Sequence, residues 1–361
     1  MQELSLDDVV RIALRESVPA SNYTMDCFIT SEIAYNDAIA KCRPGSDEAG
    51  TRAYVGVGPC QNLTYVGALR PRLAIICDSR LDNLIEHLMF KLLIERAGDP
   101  LDYLLLLFSR RQEDRPGTAV PSGPEELLAA FDRGVPDEAA HRDTLEWLLS
   151  EAKRRWAFSG WHLDRLAYVY GQFFARQLAI TAVNKECADA LGSPTLRDVI
   201  LARNSYGRNF HFLTDPDRFA YVRRMQMEDR VIPVFGNFDS PASIELINRL
   251  LAQFDERADT VYLSNIEDHV LGRYVLDVHG VASEPNPDGL LTGAYGQSYA
   301  GLVDRLATLR TAPDAMLVRF VYQAECWGRV VGEDLEPVVS RLETFFSAYR
   351  RGPASLLDTC L

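Results

Sequence analysis

Two stretches in the first third of the chain, Ala53 to Val57 (AYVGV) and Leu73 to Cys77 (LAIIC), are continuous apolar runs rich in β-branched residues. Such runs predict strands covered on both faces, as in a parallel sheet. The interval Gly58 to Arg72 has room for a tight loop, a short helix and a return, so this segment reads as a compact βαβ unit. After Asp78 the period changes. Leu81, Leu84, Ile85, Leu88, Met89, Leu92 and Leu93 recur at i, i+3, i+4 and i+7, which predicts a helix with one apolar stripe against the sheet.

Helical spacing continues to about Glu228 without convincing strands. Pro116 to Pro124 (PGTAVPSGP) predicts a loop, and Ser193-Pro194 and Asp215-Pro216 predict an N-cap followed by a first-turn proline. Strand-like and helical segments then alternate. Arg230 to Phe238 reads as a strand ending in a glycine turn, and Ser240-Pro241 opens a helix through Ala252. Thr260 to Asn265, Tyr274 to His279 and Met316 to Tyr322 are further strand candidates; Pro285 to Gly289 is a loop and Ser298 to Leu309 is helical. The expected fold is α/β, a Rossmann-like, mostly parallel sheet with a large helical insertion or cap. It divides into a lead-in and first βαβ unit at 1–80, a helical insertion at 81–229, and the rest of the α/β core at 230–361.

The length of 361 residues fits roughly two domains or one enlarged domain. A formal charge of −13 argues against a nucleic-acid partner, because that affinity comes mostly from cationic neutralisation of phosphates. A cationic or neutral small molecule fits better. No run of 18 apolar residues occurs and the first ten residues are acidic and polar, so neither a membrane span nor a secretory signal is expected and the chain reads as cytoplasmic. The seven cysteines (Cys27, Cys42, Cys60, Cys77, Cys187, Cys326, Cys360) contain no CxxC pair, which suits reduced thiols. The six histidines show no HxH or HExxH spacing, so no metal site is expected.

The informative chemistry lies at the ends of the first two strands. Gly56-Val57-Gly58-Pro59 places two glycines where a strand turns into a helix, and a missing Cβ allows close backbone approach. Asp78 ends the next strand 22 residues after Gly56, the spacing of a carboxylate that accepts hydrogen bonds from ribose hydroxyls. The third glycine of a dinucleotide motif is replaced by Gln61, so NAD falls behind a nucleoside ligand without a pyrophosphate. S-adenosylmethionine meets those requirements, and its positive sulfonium suits an acidic protein.

Tyr54-Val-Gly-Val-Gly-Pro-Cys-Gln-Asn-Leu-Thr-Tyr65, Leu69-Arg-Pro-Arg-Leu, Asp78-Ser-Arg-Leu-Asp-Asn83 and His87-Leu-Met-Phe-Lys91 resemble a bacterial family of largely uncharacterised proteins with a class I methyltransferase-like fold. Ser31-Glu32 with Tyr35, Ile232 to Asp239 and Tyr262-Leu-Ser-Asn-Ile-Glu267 extend the likeness over most of the chain. The resemblance implies a methyltransferase-type sheet and adenosylmethionine binding without specifying a reaction. Two positions depart from the family, which usually carries an acid at position 60 and an aspartate at 237; here they are Cys60 and Asn237. A thiol at a helix N-terminus can have a lowered pKa, which would make Cys60 a nucleophile, but no partner base is visible and a passive lining role is the expected one.

On this reading Gly56 and Gly58 hold the methionine moiety through the backbone, Asp78 the ribose, and Asn237 or Asp239 the adenine edge, with Pro59 and Asn265 in the lining. Glu32, Gln61, Asn62 and Tyr65 orient the amino-acid end or the substrate, or else bond within loops. Asp78 and Asp239 have helix capping as the competing role. Asn83, His87 and Lys91 share one helical face, for which solvent is the default explanation, although His87 is a natural proton acceptor. Asn265 and Glu267 either contact the acceptor or shape a turn. Arg80, Arg208 and Arg223 are available for a carboxylate, in a chain with 34 arginines and four lysines.

Two enzymatic readings follow. In one, the sulfonium methyl passes to a small-molecule acceptor, with catalysis coming from alignment and desolvation. In the other, adenosylmethionine is the sole substrate and cyclises, releasing methylthioadenosine and azetidine-2-carboxylate or 1-aminocyclopropane-1-carboxylate; this lyase chemistry needs a base, for which His87, Tyr65 or Glu32 are candidates. A non-catalytic binding or scaffold protein is the third reading. The helical zone could close over a small ligand or form a homodimer interface.

Overall fold

The computed structural model describes residues 3–16, 27–42, 52–112, 121, 123–182, 193–272, 275–276, 282–283, 286, 290–322 and 335–360. Six strands form the main sheet: β1 (Ala53–Gly56), β2 (Leu73–Asp78), β3 (Val231–Phe235), β4 (Ala258–Ser264), β5 (Thr311–Tyr322) and β6 (Leu335–Arg341). Their spatial order is β3-β2-β1-β4-β5-β6. All neighbours are parallel except β5 and β6, which run antiparallel from Leu335 opposite Tyr322 to Arg341 opposite Met316. Every residue of β1 and β2 is buried, as continuous apolar runs require when both faces are covered.

The first βαβ unit matches its sequence signal. Helix α3 (Gln61–Leu69) returns the chain so that Ala53 pairs with Leu73 and Gly56 with Ile76. Order reverses at β1: β2 and β3 are laid down on one side of it, then β4 and β5 on the other. In an open sheet this reversal leaves a crevice beyond the carboxyl ends of β1 and β4, where ligands bind in such folds.

Helix α4 (Leu81–Arg96) departs from the single-stripe expectation, since every residue from Asn83 to Ile94 is buried. It lies between the sheet and the helices of the 81–229 zone, so its polar face is covered as well. In that zone Asp215 caps the helix Pro216–Met227 as predicted, accepting from the backbone N–H of Asp217 and Arg218. Helix Leu196–Leu201 is capped instead by Thr195, in a capping box with Asp198, so Ser193-Pro194 stands just outside it. A two-residue ribbon, Arg110–Arg111 with Val135–Pro136, breaks the otherwise helical run.

In the last zone Ser240-Pro241 opens the helix Pro241–Gln253, and a helix spans Gly293–Ala307. The described part of Tyr274 to His279, Val275–Leu276, pairs with Ala282–Ser283 in a separate ribbon rather than the main sheet. Strand β6 and the helix Leu342–Arg350 that follows it carry no clear sequence signal. Most of the Pro116–Pro124 and Pro285–Gly289 loops, with Cys187, Cys326 and His279, lies outside the described residues. Among the described residues no helix is long and apolar enough to cross a membrane.

Candidate functional site

Glu32 stands at the crevice, on the stretch leading into α2 (Tyr35–Cys42). Its backbone N–H donates to Thr30 Oγ1 (3.0 Å), and the Tyr35 hydroxyl ties the start of α2 to the Val199 carbonyl (2.7 Å). The Glu32 side chain is 1% exposed. It meets the end of β4, where a bulge between Tyr262 and Ser264, with Ser264 at φ +52°, brings both hydroxyls to the carboxyl. The Tyr262 hydroxyl donates to Glu32 Oε2 and the Ser264 hydroxyl to Oε1, both at 2.5 Å. Among the described residues no cation pairs with this carboxyl. Burial therefore prevails over the two hydroxyl donors and raises its pKa from 4.5 to about 7.

Tyr262 gives its proton to Glu32 and so accepts from Gln61 Nε2 (2.9 Å), which orients the Gln61 amide and leaves Oε1 buried and unpartnered. Tyr65 lies between Tyr54 and Tyr262, with ring centroids 5.7 and 4.8 Å away, and its buried hydroxyl has no partner.

The loop after β1 is cinched from inside. The two N–H groups of Asn62 Nδ2 are shared among the carbonyls of Val57 (2.9 Å), Gly58 (2.8 Å) and Pro59 (2.9 Å), while Asn62 Oδ1 accepts from the Tyr54 hydroxyl (2.8 Å). Gly58 has φ +86°, a left-handed conformation that favours glycine. At Gly56 a Cβ would run into Asn62 Oδ1 and approach the Tyr54 hydroxyl to 2.5 Å. The open side of Gly56 is therefore filled by the protein's own side chains.

His87 and Asn83 turn inward from α4, each 2% exposed, and Lys91 is 3% exposed, so the face that carries them is not solvated. Lys91 pairs with Glu95 (2.8 Å) and Asp229 (2.7 Å). His87 Nε2 lies 2.9 Å from the Gly58 carbonyl, which can only accept, so Nε2 carries the proton and Nδ1 is left with a buried, unpartnered lone pair. Burial lowers the His87 pKa to about 4, so the ring stays neutral and positions the Gly58 loop. Asn83 Oδ1, one turn earlier, is likewise buried and unpartnered.

Asp78 ends β2 as predicted, and its carboxylate is engaged by Arg80. Oδ1 accepts from Arg80 N (2.8 Å) and Nε (3.0 Å), and Oδ2 from Arg80 Nη2 (2.7 Å). Three of about four acceptor positions are thus used, leaving one on Oδ2. The bond to Arg80 N shows that the local turn competes with any ligand for this acid.

Asn237 and Asp239, beyond the edge strand β3, are exposed. Ser240 holds the N-cap position there, so Asp239 is not the cap. Asn265 is half-buried, and its Oδ1 lies 3.3 Å from the Ser264 hydroxyl as the alternative acceptor to Glu32 for that group's single proton. Glu267 is removed from acceptor chemistry, since it forms a fully buried ion pair with Arg319 (3.1 Å) and accepts from the Tyr299 hydroxyl (2.6 Å). Cys60 takes the N-cap position of α3, yet burial pushes its thiol pKa up, which accords with the passive role and not with an activated nucleophile.

The structure thus brings together Glu32, Gln61, Asn62 and Tyr65 beside the glycine loop, with His87 behind Gly58 and Asn83 buried one turn earlier on α4. It leaves Asn237 and Asp239 apart, at the end of β3. Tyr262 and Ser264 hold the acid, and what brings both to it is a bulge at the end of β4 with Ser264 in a left-handed conformation, for which the sequence carries no signal. A separate cleft of about 720 Å³ lies between the helices Pro100–Leu107 and Pro216–Met227; its Arg223 donates to the Glu95 carbonyl and its Arg224 stacks on Tyr221.

Residues 193–274 match a family described as a domain of unknown function, DUF7790. The match covers less than a quarter of the chain, running from the helix Leu196–Leu201 through β3 and β4. It crosses the expected boundary at 229. No curated protein matches the chain.

Proposed function

We propose that the chain is an enzyme that binds S-adenosylmethionine in the crevice between β1 and β4 and, in the simplest case, directs its methyl group to a small-molecule acceptor. The observation that carries this reading is the character of the orphaned polar atoms there. Gln61 Oε1 and His87 Nδ1 are acceptors, Tyr65 adds one hydroxyl, and Glu32 adds a carboxyl that pairs with no cation among the described residues. Such a set suits a ligand rich in N–H and O–H donors and bearing positive charge, and offers little to a phosphate.

The residues divide the work. The Gly58 turn, held by His87 and Asn62, shapes the floor. Asp78 has one free acceptor position for a ribose hydroxyl, and Arg80 must shift if the carboxylate is to take both. Gln61, Asn62, Tyr65 and Glu32 are each at most 3% exposed, so admission of an adenosyl group requires side chains over the Gly58 floor to move aside. The ligand, when bound, supplies an electrophilic carbon beside a sulfonium leaving group.

One observation favours the second reading, in which adenosylmethionine is the only substrate. Methyl transfer needs little from side chains, whereas cyclisation needs a proton acceptor, and Glu32 is an acid whose pKa of about 7 suits that role at neutral pH. Incubation with adenosylmethionine alone, followed by mass spectrometry of the nucleoside, separates the two. Methylthioadenosine without an acceptor supports cyclisation, and adenosylhomocysteine formed only with an acceptor supports methyl transfer. Absence of binding by calorimetry rejects both.

A further inference from the structure

We infer that Glu32 is a proton-linked counter-ion: the free protein keeps it as a neutral acid, and a ligand's positive group takes the proton's place as the carboxylate's partner. The inference rests on the adenosylmethionine reading and names the residue that would make the site selective for charge.

The carboxyl is 1% exposed, and each oxygen is held by a neutral hydroxyl, from Tyr262 and Ser264 on β4. Among the described residues the other titratable groups beside it are also neutral phenols, Tyr54 on β1 and Tyr65 on α3. An ionised carboxylate in such a place lacks the partner that offsets its lost hydration, so the acid form is favoured. Two hydroxyl donors nevertheless preorganise the oxygens for a charge. In the acid form the Ser264 oxygen can accept the Glu32 proton while its hydroxyl donates to Asn265 Oδ1 (3.3 Å); on ionisation the same hydroxyl turns to the carboxylate, so the site accommodates both forms. Gln61 Oε1 and the Tyr65 hydroxyl, both buried and unpartnered, stand next in the same network and complete an acceptor-rich face. A cation arriving there converts Glu32 to the carboxylate, and the acid proton leaves to bulk water.

Two groups of adenosylmethionine carry the required charge, the sulfonium and the α-ammonium, and ligand choice tells them apart. Calorimetry in buffers of different ionisation enthalpy, from pH 6 to pH 8, should show proton release on binding adenosylmethionine and an affinity that rises about tenfold across that range. Adenosylhomocysteine retains the ammonium alone and methylthioadenosine has neither charge. Release with both amino-acid ligands assigns Glu32 to the ammonium; release with adenosylmethionine alone assigns it to the sulfonium. The same titration on Glu32→Gln, checked for folding by circular dichroism, removes the ligand's own amine from the comparison and should show no extra proton. Ser264→Ala, which removes one donor to the charged form, should move the midpoint to higher pH without abolishing release. Binding of adenosylmethionine with the same proton count in wild type and Glu32→Gln overturns this inference and leaves the proposed function standing. Failure to bind any adenosyl compound overturns both.

Discussion

Ionisation of Glu32 should make the protein less stable as pH rises, opposite to the usual carboxylate behaviour. Its pKa is about 7 in the folded chain against 4.5 for an ordinary glutamate, so between those values the folded state holds more protons than the unfolded state. Stability then falls through that window by about 3 kcal/mol in all, since each pH unit between the two values contributes about 1.4 kcal/mol. Two histidines act in the other direction. His87 at about 4 and His211 at about 3 are neutral when folded and titrate near 6.5 when unfolded, so their contribution grows as pH rises to 6.5. Wild type alone would show the sum, in which Glu32 is hidden. Urea denaturation of wild type and Glu32→Gln at half-unit steps from pH 4.5 to 8 removes the histidines by subtraction. Gln cannot offer both hydroxyls an acceptor oxygen, which adds a constant offset and leaves the slope untouched. The expected difference curve falls for wild type by about 3 kcal/mol between pH 4.5 and 7 and is flat above. A flat curve throughout would mean that the carboxyl is already ionised or solvated in the free protein, and Glu32 would then be no preorganised acid.

Gly56→Ala should destabilise by about 1–3 kcal/mol in thermal or urea melts, because its Cβ collides with the Asn62 and Tyr54 side chains; a neutral result would show that the loop yields easily. Arg319→Met strands Glu267 as an unpaired buried charge and should cost about 3–5 kcal/mol, part of which Glu267→Gln restores in the double variant. No recovery in the double variant would mean that lost packing dominates the single one. Asp78→Asn should weaken adenosylmethionine binding at least about tenfold, since a hydrogen bond to a charged group is worth about 1.5–3 kcal/mol. Unchanged affinity in a folded variant would take Asp78 out of the site.

The βαβ start, the strands at 231–235 and 258–264 and the helix caps at Asp215 and Ser240 were readable as local pattern, because continuous apolar runs and cap-proline pairs act over a few residues. The glycine turn and the acid at 78 were readable for the same reason, as a spacing along one βαβ unit. What surrounds each of those groups depended on partners distant in sequence. Asp78 meets Arg80 nearby, but Glu32 finds Tyr262 and Ser264 some 230 residues away, and Glu267 finds Arg319 after 52. The polar face of α4, with His87, Asn83 and Lys91, looks solvated in one dimension and is buried because α4 lies between the sheet and the helices of the 81–229 zone. Residue type and short spacing therefore announce which groups can do chemistry. Their protonation, their pairing and the meeting of β1 with β4 at one crevice follow from the order in which the strands assemble, and long-range burial sets those properties.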